Sequence, residues 1–378
     1  MRKLKVLMVF MSLVGGIIAY SCQQETSKEE KAASGEKQPQ EETASKPEIP
    51  EEDKELWDKA HKYFKPLPDV AEPEDYELTA EKVNLGKKLF YDPRLSKSGI
   101  ISCNSCHNLA SSGVDNLQAS IGHSWQTGAR NSPTVLNAAL HKTQFWDGRS
   151  PHVEHQATQP ILNPIEMAMT GDDVVIERLN SIPEYVDMFE AAFPETEDPM
   201  TYEHLGKAIG AFERTLMTPD DFDAYLEGDV TAMNEQQKRG LKTFIEVGCV
   251  SCHTGSALGG EIFQKFGVHG KYWEATGSQN IDEGRYEVTE REFDKYQFKV
   301  PGLRHITRTY PYFHDGSVWD LAEAIKIMGK LQLDKDLTDD QVNDIIAFFY
   351  ALNGEIPEDA RTLPELPSST LTTSKPEL

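Results

Sequence analysis

Cys103-Asn104-Ser105-Cys106-His107 and Cys249-Val250-Ser251-Cys252-His253 decide the reading of this chain. Cys-x-x-Cys-His is the covalent attachment motif for c-type haem. Its two thiols add to the haem vinyl groups, and the adjacent imidazole supplies the proximal iron ligand. The two copies use four of the chain's five cysteines. A zinc ribbon would want its cysteine pairs about 15 to 20 residues apart, whereas here the motifs are separated by 146 residues. A thioredoxin-like pair would need no following histidine and no duplicate. Cys103, Cys106 and His107 are expected to hold one haem c, and Cys249, Cys252 and His253 a second.

The flanks repeat as well. Gly86-x-x-x-Phe90 precedes the first motif and Gly240-x-x-x-Phe244 the second. Both belong on helices: Thr79 can cap the first, and Asn234 with Gln237 makes a capping box for the second. Glycine and phenylalanine at that spacing share one helix face, where the glycine permits close helix packing. Downstream, Pro133 and Pro301 are each followed by Phe-x-Asp-Gly (Phe145-Trp146-Asp147-Gly148 and Phe313-His314-Asp315-Gly316). A last helix follows Thr338, carries the stripe Val342, Ile345, Ile346, Phe349 and Leu352, and stops before Gly354 and Pro357. The expected fold is mainly α, with two cytochrome c-type haem domains in tandem joined by long loops. The expected boundaries are 51–217 and 218–355, followed by a tail, 356–378, that packs back on the first domain.

The amino terminus reads differently. Arg2, Lys3 and Lys5 precede an apolar run from Val6 to Ala19, the order of a signal peptide over 1–21. The fifth cysteine, Cys22, follows Ala19-Tyr20-Ser21, which suits a bacterial lipoprotein acylated at Cys22. Residues 22–50 are rich in Gln, Glu, Ser, Lys and Pro and are expected to form a disordered acidic tether. The chain is therefore expected in the periplasm, held at a membrane only by its lipid. Its 62 acidic against 38 basic residues, net charge -24, exclude nucleic acid and anionic lipid surfaces as partners.

The remaining axial position of each iron sets the chemistry. For the second haem the candidate is Met328, the last methionine of the chain, 75 residues after His253. For the first, His123, Met167 and Met169 all lie within reach, and spacing does not choose among them. Between the motifs also lie Gln156, Glu166, Trp146, Asp147 and Arg149, a polar set able to serve proton transfer beside a haem edge.

From about Leu85 to Gly354 the chain resembles the bacterial dihaem cytochrome c peroxidases. The resemblance runs through Leu85-Gly86-Lys87-Lys88-Leu89-Phe90, Gly128-Ala129-Arg130-Asn131-Ser132-Pro133-Thr134-Val135-Leu136-Asn137, Gln144-Phe145-Trp146-Asp147-Gly148-Arg149 and Tyr312-Phe313-His314-Asp315-Gly316. It implies a low-potential peroxidatic first haem and a high-potential second haem ligated by His253 and Met328. His123 matches the distal ligand released when the second haem is reduced. Glu166 matches the catalytic acid-base carboxylate, Gln156 its distal-pocket partner, and Trp146 the tryptophan between the haems. The side chain of Asn131 and the carbonyls of Thr309 and Pro311 match a calcium site at the domain interface.

The resemblance further implies reduction of hydrogen peroxide to water, with electrons from a small cytochrome c or cupredoxin, and a homodimer. Two other readings differ in kind: an electron carrier with both irons permanently six-coordinate, and an enzyme resembling the methylamine-dehydrogenase maturation enzymes. The latter place a tyrosine where this chain has Met328.

Overall fold

The computed structural model describes residues 49–377. The expected signal peptide, Cys22 and the tether up to residue 48 lie outside the described residues. The described chain is built from helices and one small two-stranded sheet. Helix α1 is Glu51–Ala60. The first half follows with α2 (Ala80–Tyr91), α3 (Cys103–Cys106), α4 (Val153–Leu162), α5 (Asp172–Asn180), α6 (Pro183–Ala192) and α7 (Tyr202–Glu213). The second half has α8 (Asp221–Glu227), α9 (Glu235–Val247), α10 (Tyr272–Thr276), α11 (Tyr286–Thr289), α12 (Leu321–Leu333) and α13 (Asp339–Tyr350). Strands β1 (Phe263–Lys265) and β2 (Gln297–Lys299) pair antiparallel, Phe263 opposite Lys299. The short α14 (Glu358–Arg361) opens the tail.

The helix starts follow from their caps. The Thr79 hydroxyl accepts from Lys82 N–H at α2, and Asn234 with Gln237, and Thr338 with Gln341, close reciprocal capping boxes at α9 and α13. Each half then packs its first long helix across its last. In the first, Leu85, Leu89 and Phe90 of α2 share a core with Leu205, Ile209 and Phe212 of α7. In the second, Leu241 and Phe244 of α9 meet Val342, Ile345 and Phe348 of α13. A side chain on Gly86 would strike the carbonyl of Ala208, and one on Gly240 that of Asp344. Glycine therefore allows both crossings to close backbone to backbone.

The internal repeat extends to loop backbone. Phe145 and Phe313 both take left-handed φ values, 65° and 71°, and the bridges Gln144–Ser150 and Tyr312–Val318 close equivalent turns. The halves also exchange equivalent hydrogen bonds. Asn131 N–H donates to His314 O at 2.7 Å, and Lys299 N–H donates to Trp146 O at 2.7 Å. Positions 131 and 299, like 146 and 314, are 168 residues apart, so the junction has pseudo-two-fold character.

The amino-terminal helix departs from the expected boundaries, whereas the tail packs where it was expected. Helix α1, assigned by sequence to the first domain, packs in the second core: Ala60 and Phe64 lie with Phe222 and Tyr225, and Trp57 Nε1 donates to Tyr225 O at 3.0 Å. Its place in the chain, ahead of the first half, cannot say which core receives it. The tail lies on the first half. Ile356 and Ala360 join that core, Tyr91 Oη donates to Ala360 O at 2.7 Å, Lys87 pairs with Asp359 at 2.9 Å, and Glu377 N–H donates to Lys97 O at 2.9 Å.

Candidate active site and haem cavities

The two Cys-x-x-Cys-His motifs occupy tight turns. Cys103 and Cys106 begin and end α3, capped by Ser102 and Ser105, and Cys249 to Ser251 form a 3₁₀ turn directly after α9. All four thiols are free. Burial pushes Cys106 up to about 11 and Cys249 up to about 12, so both are neutral thiols. Among the described residues no three His, Cys, Asp or Glu side chains converge as a metal cluster.

Each motif histidine is oriented the way a ligand must be. His107 Nδ1 lies 3.0 Å from Pro133 O, and His253 Nδ1 lies 3.0 Å from Leu258 O. Donation from Nδ1 fixes the tautomer and leaves Nε2 as the metal-facing lone pair. Burial holds both imidazoles below their ordinary value, which keeps them neutral. A large, mostly apolar cavity beside the second motif is lined by Cys249, Cys252, His253 and Met328. A thioether, an imidazole and both attachment thiols on one cavity fit a covalently bound haem.

In the first half, the loop bearing His123 and the turn bearing Glu166 are stitched together. His123 N–H donates to Ile165 O at 2.9 Å and to Glu166 O at 2.8 Å. A Cβ on Gly122 would collide with Ile165 O, so glycine is what lets the 121–127 loop lie against the turn bearing Glu166. His123 Nδ1 is buried and has no hydrogen-bond partner. Its neighbours Ser124 and Trp125 both have positive φ, 56° and 64°, a conformation costing non-glycine residues of order 1–3 kcal/mol each that tends to gather at functional loops.

Glu166 sits on the turn following α4. Asn163 Nδ2 donates to its Oε1 at 2.9 Å, and burial raises its carboxyl above the ordinary range against the pull of Arg149 and of that hydrogen bond. Gln156 is half-buried on α4 itself, the helix that leads into this turn. Met167 and Met169 belong to the first core, with Met169 Sδ 3.5 Å from Arg178.

Trp146 lines the second-motif cavity, donates from Nε1 to Asn131 O at 2.9 Å, and meets the His314 ring edge-on at 6.4 Å. Asn131, Thr309 and Pro311 line this same cavity. Asn131 Nδ2 donates to Leu117 O at 2.9 Å, which leaves its Oδ1 available as a hard oxygen donor.

The ion pairs that hold the site together were not legible from sequence spacing. Asp147 is gripped by Arg130 and by Arg149 at 2.9 Å, and Arg130 also pairs with Asp282 at 2.6 Å, tying the Trp146 loop to the second half. Arg149 lies 3.4 Å over the Phe145 ring. Asn163, three residues before Glu166, is the one whose position offered a clue, since an Asx side chain at that spacing commonly organises a turn.

The model of the family described as di-haem cytochrome c peroxidase matches residues 80–231. The chain is 46% identical to a cytochrome c551 peroxidase of Pseudomonas aeruginosa over 85% of its own length and 92% of that protein. It is 46% identical to the Nitrosomonas europaea cytochrome c551 peroxidase, over 77% of this chain and 84% of the other. Among solved structures, a MauG-like protein associated with microbial copper homeostasis superposes with a TM-score of 0.71 at 28% identity, covering 79% of this chain and 97% of that one. With two haem-attachment turns, a histidine-and-thioether cavity and this extent of similarity, the chain belongs to the di-haem cytochrome c peroxidase family.

Proposed function

We propose that this protein reduces hydrogen peroxide to two waters, taking up two protons and two electrons delivered singly by a small cytochrome c or cupredoxin. The observation that carries the reading is the pairing of His123 with Glu166 by direct backbone hydrogen bonds in the half that bears Cys103, Cys106 and His107. The haems, when bound, supply the peroxide-binding iron and the one-electron carriers.

The residues divide the remaining work. Glu166 accepts a proton from one peroxide oxygen and returns it to the other, so that water can leave as the O–O bond breaks. Its partly desolvated carboxyl, steadied by Asn163, suits that exchange. Gln156, on the helix that leads into this turn, orients the peroxide. His123 is the residue that would hold the first haem iron at rest, and its strained loop and partnerless Nδ1 leave it free to move. His253 and Met328, on one cavity, would hold the second haem, and thioether ligation would favour its reduced iron. Trp146, at the junction, relays electrons between the halves. Asn131, with the carbonyls of Thr309 and Pro311, binds calcium there and fixes the spacing of the halves.

The same reading places the protein in the periplasm as a lipoprotein anchored through Cys22, and as a homodimer. Its strong acidity favours a donor with a basic face.

The test is the haem spectrum of the calcium-loaded holoprotein, fully oxidised and then half-reduced. A five-coordinate high-spin signal that appears only on half-reduction supports the peroxidase and its His123 gate. High-spin iron already in the oxidised form keeps the enzyme and removes the gate. Two low-spin haems in both states, unchanged by peroxide, would instead make this an electron carrier.

A further inference from the structure

Lys299 is 6% exposed, and its ammonium is buried at the edge of the cavity shared by His253 and Met328. Several buried or half-buried cations of this protein have carboxylate partners, whereas the buried Arg178 is held by a hydroxyl and two carbonyls. Arg304 has Asp220 and Asp223, Arg214 has Glu154, and Arg130 has Asp147 and Asp282. The Nζ of Lys299 has only neutral partners among the described residues: Thr143 O at 3.0 Å and His141 Nδ1 at 3.2 Å. The acid whose charge reaches it, Asp147, is already held by Arg130 and Arg149. A buried ammonium so placed calls for an anion.

The internal repeat sharpens this. Under the 168-residue offset, Lys299 corresponds to Asn131, His141 to Thr309 and Thr143 to Pro311. Asn131, Thr309 and Pro311 are the candidate calcium donors, drawn from both halves. Lys299, His141 and Thr143 are the same positions with the halves exchanged, and there the cation is supplied by the chain. His141 is half-buried, and desolvation of its ring, then the Lys299 charge, holds it below its ordinary value, so it serves as an acceptor toward the ammonium.

We propose that Lys299 is the built-in cation of the second haem cavity, the pseudo-symmetric counterpart of the candidate calcium site, and that it pairs with a carboxylate of the haem bound through Cys249 and Cys252. A fixed positive charge there stabilises the reduced haem, which carries one more electron. Left without an anion, burial draws the Lys299 amine down to about 7; the carboxylate would keep it charged. This inference rests on the haem reading above, and the two can fail separately.

The experiment is a spectroelectrochemical titration of holoprotein carrying Lys299→Met, with Lys299→Arg as the charge-conserving companion and haem content measured on each. With two haems loaded, the Met variant is expected to show an about ten-fold lower reduced-to-oxidised ratio at the second haem at a fixed applied potential, a shift of about 59 mV for one electron. The first haem should be unmoved, and the Arg variant should stay within about two-fold of the wild type. A loaded Met variant whose second-haem ratio matches the wild type overturns the proposal. If the Met variant does not load haem, the Arg variant decides: a wild-type ratio supports the charge role, and a ten-fold loss overturns it. A wild-type chain binding fewer than two haems would refute the haem reading itself.

Discussion

Glu166→Gln should separate proton transfer from every other property of the peroxidatic pocket. Glutamine keeps the shape of the side chain and can still accept the 2.9 Å hydrogen bond from Asn163 Nδ2, so the turn and its backbone contacts with His123 are preserved. What is lost is the ability to take a proton from one peroxide oxygen and return it to the other. General acid-base catalysis contributes about 10²- to 10⁴-fold, or about 3 to 5 kcal/mol of transition-state stabilisation.

The two consequences of this change have opposite signs. Burial raises the folded-state pKa of Glu166 above its unfolded value. The folded state therefore holds its proton more tightly, and stability is lost as pH rises from the ordinary carboxylate range through the raised value. Removing the titrating group relieves that cost above the raised pKa, and the relief disappears below the unfolded pKa. The variant should be slower yet slightly more heat-stable at neutral pH, with the stability gain gone in acid. Steady-state kcat/KM for peroxide, read with haem content and thermal melting at neutral and acid pH, checks both. In the wild type, the acid limb of the activity profile should start at a higher pH than an ordinary carboxylate would give, and the variant should lack it. A loaded variant that loses less than ten-fold in kcat/KM would refute the assignment.

Gly86→Ala and Gly240→Ala each place a methyl against a backbone carbonyl that no rotamer change can move. Each should cost at least about 1–3 kcal/mol in denaturant unfolding, and a loss under about 0.5 kcal/mol would mean the helices do not cross this closely. Arg304→Met leaves Asp220 and Asp223 buried without their cation; a loss of about 3–5 kcal/mol is expected, and an unchanged midpoint would refute the pairing's importance. Asn131→Ala should weaken calcium binding to the holoprotein at least about ten-fold by calorimetry, and an unchanged affinity would remove Asn131 from the site. Turnover with a basic donor should fall as salt rises across roughly the range where the Debye length drops from 30 to 10 Å; a flat response would dismiss electrostatic steering.

Much of this protein is local chemistry and was legible in the chain. Haem attachment needs two thiols and an imidazole within five consecutive residues, so Cys103–His107 and Cys249–His253 identify their chemistry wherever they fold. Helix caps act over three residues, and Thr79, Asn234 with Gln237, and Thr338 with Gln341 all bond as their spacing predicts. The paired Gly-x-x-x-Phe segments likewise announce a close crossing, because a missing Cβ on an apolar helix face has few other uses.

Partners distant in sequence were decided only by the tertiary structure. The place of α1 in the chain, ahead of the first half, does not say which core receives it, and only packing put it with Phe222 and Tyr225. The chain alone left His123, Met167 and Met169 as alternatives. The folded loops put the His123 backbone on the Glu166 turn, and the two methionines in the first core. Lys299 reads as an ordinary charge at the end of a short strand. Its buried ammonium, and its equivalence to Asn131 across the junction, exist only once the two halves face each other. Short-range bonding is written in consecutive residues, whereas desolvation and charge pairing depend on what the rest of the fold brings alongside.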